Sequence, residues 1–181
     1  MKSRLAIASV AALLLFSLAT PARADVTLTP FLGGLFGGNL GTIKKAAYGV
    51  SLAAMGAGVF GAEFDFSWSP NFVGATAFNS AVTEANITGN LIVGIPIGGT
   101  HGASVRPYLV GGGGLLRATA KQSDFGAPIT SKDFAWDMGG GALVTFNTHI
   151  GVRGDLRYFH SNSASNEYKF WRGTGGVAFK F

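Results

Sequence analysis

From Phe60 to Ser69 the chain alternates without a break. Phe60, Ala62, Phe64, Phe66 and Trp68 share one parity, and Gly61, Glu63, Asp65, Ser67 and Ser69 share the other. Residues two apart on an extended strand lie on one face, so this stretch predicts a strand with one aromatic side and one charged side. The same period returns along the chain and marks eight strands, over residues 26–36, 46–55, 58–69, 86–96, 105–118, 133–146, 150–160 and 169–181. In the last of these, Trp171, Gly173, Gly175, Val177, Phe179 and Phe181 stand against Arg172, Thr174, Gly176, Ala178 and Lys180. Each stretch is close to the roughly 9–11 residues that a tilted strand needs to cross a bilayer. No 3.6-residue repeat with caps interrupts them. The connections after strands two, four and six are short, and those after strands one, three, five and seven are longer and more polar. The pattern predicts an all-β fold, an eight-stranded antiparallel up-and-down transmembrane β-barrel with long loops on one side only.

The first residues predict export. Lys2 and Arg4 precede an almost wholly apolar run from Leu5 to Leu18, and Pro21, Ala22, Arg23 and Ala24 offer a small-x-small cleavage site. Residues 1–24 are thus expected to be a cleaved secretory signal peptide and 25–181 a single barrel domain. Lys2, Arg4 and Arg23 would leave with the signal, lowering the formal +5 of the chain to about +2, too little to predict nucleic acid as a partner. Charged residues are 13% of the chain against a usual ~25%. That is too few for a water-covered surface of ordinary charge. Without cysteine there is no disulfide, thiol nucleophile or cysteine metal site.

A soluble lipocalin-like barrel has an apolar interior; a membrane barrel has an apolar exterior. The large aromatics separate the two. With the N-terminus inside, Tyr48, Trp68, Trp136, Tyr158 and Trp171 fall at the outer ends of five strands, all on the apolar face. Phe60, Phe146, Phe179 and Phe181 fall at the opposite ends. Two belts at two heights match the two membrane interfaces, and predict an aromatic girdle facing lipid.

The other face then points inward, and eight strands leave room only for side chains. Glu63, Asp65, Asp137 and Asp155 are expected there with Arg106, Arg153, Arg157 and Arg172. Enclosed charges must be paired, because an unpaired buried ion costs several kcal/mol. The expectation is a lumen charge network acting as a structural plug, with a charge gate as the alternative. Gly61, Gly139, Gly141 and Gly151 would make room for the long side chains.

Several segments resemble those of the small outer-membrane β-barrel domain family, porin-like and of the outer membrane protein A barrel type. They are Leu28-Thr29-Pro30-Phe31, Gly61-Ala62-Glu63-Phe64-Asp65-Phe66, Ser69-Pro70-Asn71-Phe72, Arg106-Pro107-Tyr108, Gly139-Gly140-Gly141, Gly151 to Tyr158 and the terminal Phe181. The resemblance implies a Gram-negative outer membrane and insertion by the barrel-assembly machinery through the terminal strand. It carries over no catalytic residue and no cofactor. The expected role is envelope-structural or surface-interacting, through loops at 70–85 and 121–132 that meet host surfaces, lipopolysaccharide or other proteins. A monomer in contact with outer-membrane lipids is expected. The alternatives are a narrow porin-like channel and, third, a lipid A acyl hydrolase. The last needs a His-x-Ser pair on one face, whereas His160 is followed at once by Ser161, which points the other way. His101 and His149 lie in separate short turns, and Gly111 to Gly114 lacks the Lys-Ser/Thr of a phosphate loop. No enzyme, metal site or cofactor is expected.

Overall fold

In a computed structural model, eight antiparallel strands form one closed barrel in sequence order. The structure describes residues 24–40, 45–73, 82–99, 102–120, 129–161 and 168–181. The assigned signal lies outside them except for Ala24. The strands are β1 (Ala24–Phe36), β2 (Lys45–Gly56), β3 (Phe60–Val73), β4 (Val82–Gly94), β5 (Ser104–Ala120), β6 (Ile129–Thr145), β7 (Ile150–Ser161) and β8 (Tyr168–Lys180). Each pairs with the next, and β1 closes on β8 through pairs such as Leu28 with Phe179 and Phe36 with Trp171. No sheet edge is left unpaired, which is the condition for a sheet to sit in lipid.

Both ends of the barrel chain and the β2–β3, β4–β5 and β6–β7 turns lie at one end, called proximal below. The β2–β3 turn is built on Ala57 (φ 49°) and Gly58 (φ 70°), and the Val59 amide donates to the Gly56 carbonyl at 3.0 Å. Two central residues with positive φ give the turn whose twist matches a hairpin, at some cost for an alanine in that region.

Three sequence expectations change. The 70–85 loop is shorter, because β3 runs on to Val73 and β4 begins at Val82. Pro70 has no amide to donate, and the β3–β4 register shifts between Ser69 and Val73 before pairing resumes. The 121–132 loop loses its last four residues to β6, where Thr119 pairs with Thr130 and Arg117 with Lys132. A ribbon with polar residues on both faces has no apolar period, so nothing in the sequence reports it. What remains of these loops, 74–81 and 121–128, lies outside the described residues. Among the described residues one 3-10 turn, Gly38–Leu40, follows β1, although no helical element beyond the signal is expected from sequence. Gly37 and Gly38, both at positive φ, bend the chain into it.

The wall is inverted relative to a water-soluble barrel. Leu32, Phe64, Leu91, Leu109 and Phe134 project outward and exposed, while Glu63, Asp65, Asp137, Arg157 and Arg172 are buried within.

Candidate functional site in the barrel lumen

Strand β7 supplies the spine of the interior. Arg153, Asp155 and Arg157 recur every second residue and so project to the same side of the wall. Arg157 is fully buried. Its Nη1 lies 2.7 Å from Glu63 Oε1, 3.6 Å from Asp137 Oδ2 and 3.8 Å from Asp65 Oδ2, and its Nε lies 2.6 Å from Asp155 Oδ1. One guanidinium thus joins carboxylates from β3, β6 and its own strand. Arg153 pairs with Glu63 Oε2 and, at 3.2 Å, with Asp155 Oδ2. It donates further to Tyr108 Oη at 2.6 Å and Ser51 Oγ at 2.9 Å. Arg172 holds Asp65 through two parallel bonds of 2.8 and 2.9 Å, the fork geometry that suits guanidinium to carboxylate.

Above and below this layer the interior changes character. Toward the distal end lie Leu35, Leu116, Phe159 and Phe170 with three alanines, the two phenylalanine rings stacked 5.1 Å apart. The Arg172 guanidinium sits at the boundary, 4.8 Å from the Phe159 ring centre and 5.0 Å from that of Phe31. Such contacts let a buried cation meet an apolar layer without losing all electrostatic support. On the proximal side Met55, Ile92, Tyr108 and Val110 pack together. The cavity beside them, lined in part by Arg106, Tyr108 and Arg153, has a volume of about 10 Å³. That is at most the room one water needs.

Arg106 does not join the other three arginines. Its Nη2 lies 3.0 Å from Asp25 Oδ2, and Lys180 Nζ reaches the same oxygen at 3.0 Å. The central layer therefore sets Arg153, Arg157 and Arg172 against Glu63, Asp65, Asp137 and Asp155. This differs from the even four-to-four count read from sequence. Asp25, Lys180 and the buried Glu84 are interior charges that the sequence reading missed. Glu84, Asn86 and Thr88 share the inward parity of β4, a signal that becomes legible only once β4 is known to begin at Val82. Tyr108 was missed because the β5 glycines blur its alternation.

Glycines lie against the network. A Cβ on Gly139 would come within 3.0 Å of Arg157 Cγ, and one on Gly141 within 2.6 Å of Tyr108 Oη and 2.7 Å of Asp155 Cβ. The Gly61 position abuts Met55, and Gly151 abuts Thr145.

On the outer wall, Tyr48 pairs across strands with Trp68, and Tyr158 with Trp171, with ring centres 6.3 and 5.2 Å apart. Trp136 stacks on His160 at 5.2 Å. Phe60, Phe146, Phe179 and Phe181 are exposed at the proximal end. His160 faces out, whereas Ser161 is buried inward and donates to the Phe134 carbonyl at 3.4 Å. Among the described residues no group of three His, Cys, Asp or Glu is placed to hold a metal.

Residues 8–181 match the outer membrane protein beta-barrel domain. The chain belongs to that family. Its solved structural neighbours include neisserial surface protein A, at 15% identity and a TM-score of 0.65, covering 87% of this chain and 97% of the other. The N-terminal barrel domain of Pseudomonas aeruginosa OprF covers the same shares at 14% identity and a TM-score of 0.57. Ail, the attachment invasion locus protein of Yersinia pestis, covers 87% and 98% at 12% identity with a TM-score of 0.57. At such identities the likeness is one of fold. No curated protein matches the sequence. As a member of the outer-membrane barrel family, the protein resides in the bacterial outer membrane, and its apolar wall is the lipid-facing surface.

Proposed function

We propose that this outer-membrane barrel is a closed scaffold, with an envelope-structural or surface-interaction role carried by its distal loops. The observation that carries this reading is the stacked interior: a paired charge layer between two apolar ones, with a neighbouring cavity of about 10 Å³. A hydrated ion has no path through such a stack, and the inward charges serve as a structural plug rather than a gate. Planar-bilayer recording of the refolded barrel tests it. No discrete conductance is expected from the wild type. Regular single-channel steps would replace the plug by the porin-like alternative.

Short turns at the proximal end support a periplasmic proximal end and a distal end outside the cell. On this reading the Tyr48–Trp68 and Tyr158–Trp171 pairs with Trp136 form the outer aromatic girdle, and Phe60, Phe146, Phe179 and Phe181 the inner one. Residues 1–24 act as the export signal, and the terminal strand is what the barrel-assembly machinery engages. The protein is not an enzyme: the outward stack of His160 and the inward bond of Ser161 leave the pair on opposite faces, which argues against a lipid A acyl hydrolase.

A further inference from the structure

The outer ends of β5 and β6 extend past the aromatic residues as a two-stranded ribbon, and its outward face is sorted by height. Leu115 pairs with Phe134, both more than half exposed. Two residues further out Arg117 pairs with Lys132, and two beyond that Thr119 pairs with Thr130, their hydroxyls 3.5 Å apart. Like charges directly opposite on a strand pair repel. Neither cation makes an ion pair with a described residue. The nearby carboxylate of Asp133 sits on the other parity of β6, where Ser131 donates to it at 2.7 Å. Below the ribbon, the Phe134 ring covers Gly113, and Gly111 lowers the β5 wall beyond it. A groove of about 580 Å³ follows there, lined in part by the outward Leu109, Met138, Tyr158 and Trp171.

We propose that this face docks a phosphorylated glycolipid of the outer leaflet. A phosphate bridges Arg117 and Lys132, relieving their repulsion with charge-assisted bonds. Sugar hydroxyls meet Thr119 and Thr130 above it, and an acyl chain runs over Leu115 and Phe134 into the groove. The vertical order of apolar, cationic and hydroxyl pairs is the order of chain, phosphate and sugar in such a lipid. The inference names a partner for the wall and rests on the membrane placement of the barrel. It does not depend on the lumen being closed, so its failure would leave the plug intact.

The test is native mass spectrometry of the full barrel, refolded in detergent and incubated with doubly phosphorylated lipid A or with the same lipid after phosphate removal. Wild type is expected to retain the phosphorylated lipid at least tenfold better than the dephosphorylated one. Arg117→Gln with Lys132→Gln should lose that preference, whereas Arg117→Lys should keep most of it. Both positions face outward, and an unchanged heat-dependent gel shift would show that the variants fold. Equal retention by wild type and double variant would overturn the site. Equal retention of the two lipids would remove phosphate from it. Full displacement by inorganic phosphate at matched concentration would assign the cations to a free anion and overturn the lipid.

Discussion

Replacing Arg157 by alanine removes the guanidinium on which Glu63, Asp65, Asp137 and Asp155 converge, with its shortest contacts at 2.6 and 2.7 Å. Asp65 keeps its two bonds to Arg172, and Glu63 keeps Arg153, so neither is stranded. Asp137 loses its ion pair with Arg157, and Asp155 falls back on Arg153 and Tyr108. Breaking a buried pair by removing one partner costs about 3–5 kcal/mol, because the remaining charge stays enclosed. The upper part of that range is expected here, since one substitution leaves the central layer with two arginines facing four carboxylates. At about 1.4 kcal/mol per decade the ratio of folded to unfolded protein should fall more than a hundredfold. Urea unfolding in lipid vesicles, followed by tryptophan fluorescence and the heat-dependent gel shift, reads this directly. Adding Asp137→Asn to the variant should recover a third or more of the loss, because it removes the charge that was left alone. A single variant within about 0.5 kcal/mol of wild type would refute the claim that the layer is coupled through Arg157. So would a double variant no better than the single one.

The remaining expectations follow from local geometry. Arg153→Ala, which takes an ion pair from Glu63 and one hydrogen bond each from Tyr108 and Ser51, should cost about 3–5 kcal/mol in the same unfolding assay. Gly141→Ala drives a methyl against Tyr108 Oη and Asp155 and should destabilise by about 1–3 kcal/mol. Gly175→Ala, with open space beyond its Cα, should be neutral or slightly stabilising. Ala57→Asn relieves a positive φ in a tight hairpin turn and should raise stability by about 0.5–1 kcal/mol; a loss instead would contradict the turn assignment. The three tryptophans, all outward at the distal end, should be quenched more strongly by lipids brominated near the headgroup than near the chain end. The absence of quenching by either lipid would contradict their lipid exposure.

Strand number, wall polarity and the two aromatic heights are legible in the sequence because each is a local, period-2 property. Glu63 and Asp65 declare their face through Phe64 and Phe66 beside them, and Arg153 and Arg157 through Val152 and Leu156. The pattern weakens wherever both faces are equivalent. In β5, glycines leave no side chain to report a face, and Tyr108 went unread. Beyond the apolar band the outer ends of β4 and β6 look like loop, which hid Glu84 and the Arg117–Lys132 pair. Partner choice is a different matter. Arg172 meets Asp65 across 107 positions of sequence, and Arg153 meets Ser51 across 102. Closure of β1 on β8 and the register of every ladder between them set these meetings. The parity of the strands determined which side chains enter the lumen, while only the closed barrel decided that Arg106 turns to Asp25 and leaves three arginines to hold four carboxylates.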